Sequence, residues 1–451
     1  MPRLSTFQIT LLAVFGSLGV AGVLIFALFT ASSSANAIGP VVIWGTIDGT
    51  ALNLALRDAA DNDSRFSQVT YLKVDPTQYD ANLKTALANG RGPDLFLMTD
   101  DHAYRDASYA LHIPYSQFPQ SQFQSTFLDT ATPFLASDGI VGIPVLVDPL
   151  VLFWNKDALA TAGIAAPPQY WDQVPGMVES LVKKSDSGTV QKGGIALGSY
   201  ANIDSAKDIL ATLIIQAGGG ITGLDAEGIL RSQLASQNGS TAAVTALNFY
   251  TEFADSSQPD YSWSRAFQDA QAAFAAADVA MYIGHASEYA SISATNPNLN
   301  FAIAPIPQIR SAQYTADTSR VYAFAIARNT QNARGALTVA YLMAGPDFIS
   351  SVAKSLGMAS ALRRVVTSNA AAAQPTDQTS AALQNLVSNS PKTPGTLLDF
   401  EANISKPWID PDPDKTSQLF RDMIENTVSG ELKSMDAVQR GDKQLGTILN
   451  P

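Results

Sequence analysis

The sequence predicts an α/β layer fold spread over two domains, and three observations carry that expectation. Short apolar, β-branched runs alternate with helical stretches from Val41 to Met98. The chain has 451 residues, too long for one ordinary core and enough for two domains of roughly 150–200 residues each. An apolar share of 46% with only 15% charged residues fits a globular protein and not a disordered one.

The elements follow in order. Phe7 to Ala31 carries no charge and is mostly Leu, Val, Ile, Phe, Ala and Gly. Roughly 20 such residues span hydrocarbon as a helix. Arg3 and the free N-terminus put positive charge on the cytoplasmic side. Ala35-Asn36-Ala37 has the small-x-small form of a signal-peptidase site. Residues 1–37 are therefore either an uncleaved membrane anchor or a signal removed after Ala37, and both readings export the rest. Beyond them, Val41–Trp44 reads as a buried strand, Asn53–Asp61 as a helix and Val69–Val74 as a second strand. Tyr79–Ala88 is helical by its Leu83/Leu87 spacing, and Leu95–Met98 is a third strand ending at Thr99-Asp-Asp101. Strand, helix, strand, helix, strand at this spacing implies parallel pairing, with ligands off the carboxyl ends of the strands.

The next stretch is the most specific. Val141-Gly-Ile-Pro144, Leu152-Phe-Trp-Asn-Lys-Asp157, Ala162-Gly163 and Pro167-Pro168-Gln-Tyr-Trp-Asp172 stand in fixed order. Together they resemble the extracellular (periplasmic) solute-binding proteins of ABC importers, family 1, in the maltose-binding-protein-like branch. Gly92-Pro-Asp94, Phe274–Met281 with Gly284, Ala304-Pro-Ile-Pro307 and Val321–Ile326 resemble further segments of that family in the right order. Asp278 stands where the family carries Lys, and Ser319-Arg320 where it carries a glycine pair. The resemblance implies a two-lobed periplasmic-binding-protein fold of type II, with discontinuous lobes, hinge crossings and an N-terminal apolar helix before them. It places lobe 1 at 38–148 and 304–345, and lobe 2 at 149–303 and 346–451, with crossings near Val147–Leu150, Ala302–Pro307 and Ala344–Asp347. A ligand would be closed between the lobes by hinge motion.

Composition excludes several functions. Formal charge is −12 from 28 basic and 40 acidic residues, with no basic cluster, which argues against nucleic acid. Cysteine is absent, which removes disulfides, thiolate metal sites, thiol nucleophiles and a lipid-attachment Cys. The three histidines, His102, His112 and His285, form no HExxH pattern, and no GxSxG elbow exists. Gly218-Gly-Gly220 with Gly223 satisfies GxGxxG only literally; it follows a helix-like run and reads as a helix C-cap. The expectation is no enzyme, no cofactor and no metal, although Asp100-Asp101 could hold a hard cation as well as cap a helix or accept from a ligand.

Aromatics and carboxylates at strand ends and lobe edges are the ligand-binding candidates, because a sugar ring packs on an aromatic face while carboxylates accept its hydroxyls. They are Trp44, Asp101, Tyr104, Asp148, Tyr200, Asp204, Trp263, His285, Glu288, Arg320, Tyr322 and Trp408. Trp154 and Trp171 read as structural. The leading function is an extracytoplasmic protein that captures a small solute, sugar or oligosaccharide first, and delivers it to the transmembrane subunits of an ABC importer. The alternatives are a ligand-sensing module reporting to a membrane receptor, import of a peptide, polyamine or anionic solute, and a hydrolase built on Asp/Glu pairs.

Overall fold

The computed structural model describes residues 38–236, 239–310, 312, 314–363 and 394–450. The apolar segment 1–37, including its expected N-terminal helix, therefore lies outside the described residues. Twelve strands run in chain order: β1 (Val41–Gly45), β2 (Val69–Lys73), β3 (Leu95–Thr99), β4 (Ile143–Asn155), β5 (Lys183–Lys184), β6 (Val190–Ile195), β7 (Thr222–Leu224), β8 (Leu230–Ser232), β9 (Val279–His285), β10 (Phe301–Ala304), β11 (Ser319–Ile326) and β12 (Ala359–Ser360). Ten of them form one sheet in the order β2-β1-β3-β11-β4-β9-β6-β5, with β10 and β12 also on β4 and β7-β8 apart. The mixed α/β architecture matches the expected class.

The first three strands pair in parallel, as the alternating pattern predicts. Their connecting helices start where side chains cap them. Asp48 accepts from Thr50 N and Ala51 N, so the first helix opens at Gly49 instead of Asn53. Asp75 caps the helix Pro76–Ala88, with Pro76 at its first turn where the missing N–H costs nothing. Gly218 adopts φ +80°, just past the end of the helix Ala206–Gln216, which is the helix-terminating use of the glycine run.

β4 is the element that joins the molecule. Its 13 residues are almost all buried. The first part, Ile143–Pro149, pairs with β11 and, at Leu146 and Val147, with β12. From Leu150 onward the same strand pairs with β9 and, over Leu152–Asn155, with β10. The change of partner falls at Asp148-Pro149-Leu150, where Pro149 has no N–H to give to a ladder and Leu150 N donates to Thr318 O instead.

After β10 the chain bonds to segments around Gln169 and Gln216. Gln308 N donates to Gln169 O, Trp171 N donates to Gln308 O, and Gln216 Nε2 donates to Pro307 O and Ala316 O. These bonds tie Pro307, Gln308 and Ala316 to that part of the molecule before β11 begins at Ser319. Residues 346–360 pack beside the helix Gly49–Asn62 and β4. Phe348 stacks on Phe66 with centroids 5.9 Å apart, and Ala359 and Ser360 pair with β4. The apolar side of the helix Pro346–Leu356, with Ile349 and Val352 buried, would be wetted without that packing. Among the described residues no single helix is long and apolar enough to cross a membrane.

Candidate functional site

Four chain segments converge where β4 changes partner. The carboxyl end of β3 delivers Asp100 and Asp101, the first residues of the helix Asp100–Asp106. Antiparallel β11 sets Tyr322 opposite Thr99, so its first residues, Ser319 and Arg320, stand beside that end. From the second half come Tyr200 and Asp204, then Lys207 and Asp208 in the first turn of the helix Ala206–Gln216. The segment after the helix Pro394–Ile404 adds Lys406, Trp408 and Asp410. These residues line a cavity of about 750 Å³ including its open mouth. An adjoining one of about 840 Å³ is bounded by Thr46, Tyr79, His102 and Tyr322 and shares Asp101 and Arg320 as its wall. Sizes of this order suit small-molecule ligands.

Charge is organised in pairs around the cleft. Lys207 Nζ donates to Asp410 Oδ2 at 2.5 Å and to Thr416 Oγ1 at 2.9 Å, and it lies 5.3 Å from the centre of the Trp408 ring. Burial alone would lower the Lys207 pKa, but Asp410 and Asp101 hold it above its ordinary value. Asp100 is the opposite case. Burial, then the neighbouring Asp101 charge, push it up to about 8, although Val321 N donates to Oδ1 at 2.7 Å. Asp100 is therefore a protonated donor at neutral pH. Asp101 stays ionised: burial raises it, but hydrogen bonds from His102 and Thr99 and the His102 and Lys207 charges bring it well below the carboxylate range. Asp204, open to solvent at the rim, is raised by partial burial and by Asp269.

Behind this wall lies a supporting layer. Both nitrogens of His285 meet oxygen, Nδ1 at Asp148 O (3.0 Å) and Nε2 at Asp208 Oδ2 (3.2 Å). Burial and Arg320 act to lower the His285 pKa, and the two aspartates outweigh them, leaving it raised. With two acceptors facing it, the ring is best described as an imidazolium donating twice. The Asp148 carboxylate accepts from Ser287 N at 3.0 Å and Ser287 Oγ at 2.7 Å. Glu288 accepts from Tyr282 Oη at 2.6 Å, His285 N at 2.9 Å and Gln271 Nε2 at 2.9 Å.

The twelve sequence candidates thus separate by position. Asp101, Tyr200, Asp204, Arg320 and Trp408 line the first cavity, and Tyr322 the second. Asp148, His285 and Glu288 sit behind them. Trp44 lines neither; it stands between Leu72 and Phe96 in the sheet, half-buried against the core. Trp263 is fully buried, parallel to Phe267 at 4.5 Å, with its indole N–H donating to Asn202 Oδ1. The reason lies one residue earlier: Ser262 Oγ accepts from Gly194 N and Ile195 N, which pins the segment to β6 and turns Trp263 inward. Tyr104 is exposed and lines neither cavity. Sequence reasoning missed Lys207, Asp208, Lys406 and Asp410. Two signals were present: Lys207-Asp208 open the helix that directly follows Tyr200 and Asp204, and Lys406 and Asp410 flank Trp408 in one loop.

The comparisons with known proteins agree with this geometry. The family model described as bacterial extracellular solute-binding protein matches residues 65–347, well over half of the chain. Among curated proteins no sequence matches. A solved cyclic alpha-maltosyl-1,6-maltose binding protein from Arthrobacter globiformis is 19% identical, with TM-score 0.69 over 91% of this chain and 99% of that one. The GacH receptor of Streptomyces glaucescens, solved unliganded and with acarbose, is 16% identical, with TM-score 0.68 over 91% and 98%. The maltose/maltodextrin-binding domain from Bdellovibrio bacteriovorus, bound to maltotriose, is 16% identical, with TM-score 0.66 over 92% and 100%. At these identities the likeness is one of fold.

Proposed function

Because the chain belongs to the family of bacterial extracellular solute-binding proteins, we propose that it captures a sugar or oligosaccharide in the cleft and hands it to an ABC importer. The observation that carries the ligand class is the pairing of half-buried aromatic faces, Trp408 and Tyr200, with carboxylates and a protonated carboxyl around one cavity. Pyranose rings pack on such faces, and their hydroxyls give to carboxylates and take from donors. The solved neighbours whose descriptions name cyclic alpha-maltosyl-1,6-maltose and maltotriose are consistent with this choice.

Capture works by closure. One wall, with Asp101 and Arg320, belongs to the half built on β1–β3 and β11; the other, with Tyr200, Asp204, Lys207 and Trp408, belongs to the half built on β6 and β9. We assign the pivot to Asp148-Pro149-Leu150 of β4, with further crossings at Thr318–Ser319 and after residue 394. Residues 1–37 supply export and a membrane tether, which keeps the captured solute beside the importer.

A thermal-shift screen of the purified protein against sugars, amino acids, polyamines and oxyanions tests the reading, since a bound ligand raises the midpoint by mass action. A rise of several degrees with a mono- or oligosaccharide at millimolar concentration is expected, and it disappears in Asp101→Asn and Trp408→Ala. A shift confined to polyamines or amino acids would replace the sugar with another solute.

A further inference from the structure

The cleft looks acidic by formal count, yet the charge left over after internal pairing is positive. We infer that the captured saccharide carries a carboxylate, as a uronic acid or an oligosaccharide containing one. The inference rests on the sugar-capture reading above and names the ligand class within it.

The balance is drawn residue by residue. Of the aspartates lining the cavity, Asp410 is neutralised by Lys207 at 2.5 Å and Asp208 by His285 at 3.2 Å. Asp101 is held by Thr99 and by His102 at 2.8 Å. Asp100 accepts from a backbone N–H and keeps its proton in the buried site. Asp204 stands at the solvent rim. The cations divide differently. Lys207 is spent on Asp410. Arg320 makes no ion pair among the described residues; its guanidinium lies beside the Tyr322 hydroxyl and forms part of the wall common to both cavities. Lys406 also makes no ion pair among the described residues and meets only the Tyr314 ring, 5.9 Å away. Two cations therefore face the ligand space without a carboxylate of their own.

A neutral sugar does not answer that arrangement. Its hydroxyls accept from a guanidinium, but they leave the half-desolvated group without a carboxylate in contact, its charge met only at longer range by Asp208, Asp101 and Asp148. A carboxylate matches the planar fork of Arg320 with two parallel hydrogen bonds. A phosphate dianion fits less well, because Asp101 and Asp208 remain ionised on the two facing walls of the cleft. The cleft as a whole balances one negative charge.

Isothermal titration of the full protein with matched pairs separates the outcomes: galacturonate against galactose, and cellobiouronic acid against cellobiose. The acidic member is expected to bind on the order of ten- to a hundredfold tighter, with the advantage shrinking as salt rises from about 0.02 to 0.5 M. Arg320→Gln erases the preference, Arg320→Lys keeps part of it, and Lys406→Gln reduces it without touching β11. Unfolding midpoints of the three variants confirm that the fold is intact. Neutral members binding as tightly as acidic ones, or a preference that survives Arg320→Gln, would overturn the inference while leaving sugar capture standing. Heat from polyamines or peptides and from no saccharide of either kind would remove both.

Discussion

Asp317 and Glu401 give the sharpest stability prediction. Both are fully buried, no ion pair reaches either among the described residues, and beyond each other they have only a backbone group near them, Thr318 for Asp317 and Ile306 for Glu401. Asp317 lies just before β11, and Glu401 in the helix Pro394–Ile404 that packs over β4. Burial, and then the Glu401 charge, hold Asp317 well above the usual carboxylate range; burial does the same to Glu401. The sign follows directly. Unfolded carboxyls release their protons near pH 4, whereas the folded pair retains them, so the native state binds more protons and stability falls as pH rises. Each retained proton costs about 1.36 kcal/mol per pH unit, hence about 2.7 kcal/mol between pH 5 and 7 for one proton and about twice that for two. The perturbation is the isosteric double variant Asp317→Asn/Glu401→Gln, neutral at every pH. Other carboxyls that burial raises, namely Asp100, Asp204, Glu252, Asp260, Glu288 and Asp410, are common to both proteins and cancel in the difference. Urea unfolding at several pH values, followed by tryptophan fluorescence, reads it out. The variant is expected to gain on the parent from pH 5 to pH 7, by up to about 2.7 kcal/mol for each proton the folded pair retains across that range. A difference that stays flat across that range would refute the assignment of retained protons to this pair.

Trp263→Ala is expected to lower stability by about 3–5 kcal/mol, since it empties a fully buried site stacked on Phe267. Solute affinity measured by titration stays unchanged, because the ring does not reach the cleft. Expressed in a bacterial host, the chain is expected in the membrane fraction with residues 1–37 retained. N-terminal sequencing of a soluble product beginning at Ile38 would show a cleaved signal instead.

How legible the molecule was depends on what kind of signal each feature leaves. β1 to β3 were readable because a buried parallel strand is a short continuous apolar run, and Val41–Trp44 and Leu95–Met98 are such runs. The double role of β4 was not. Its apolar run from Val145 to Trp154 reads the same whether one sheet or two claim it, and only the ladder shows the exchange at Pro149. The site divides along the same line. Residues at strand ends or beside a proline loop, such as Asp101, Arg320 and Trp408, carry a positional signal. Lys207 carries none. In sequence it is one helical lysine among others, and its burial against Asp410 arises from a contact 203 positions away. Trp263 failed in the opposite sense: a tryptophan near a family-like position suggests stacking, but the hydroxyl of Ser262 had already committed that backbone to β6.

The position of Arg320 links the ligand to the motion. Arg320 pairs with Asp148 across the β11–β4 ladder, and two residues on, Leu150 pairs with His285 on the other side of the partner change. Asp148 gives its carbonyl to His285 and its carboxylate to Ser287, so the rung beside Arg320 is bonded directly into the second half. A group that engages Arg320 therefore acts within one rung of the pivot, where a small rotation carries the far ends of both lobes through a large arc. Aromatic contacts to Trp408 and Tyr200 reward that rotation only when a ring lies between the walls. Under the proposed capture of an acidic saccharide, charge recognised at the pivot and a ring recognised at the mouth together require the ligand to be both acidic and extended before closure is stabilised. Either property alone satisfies one wall and leaves the cleft open.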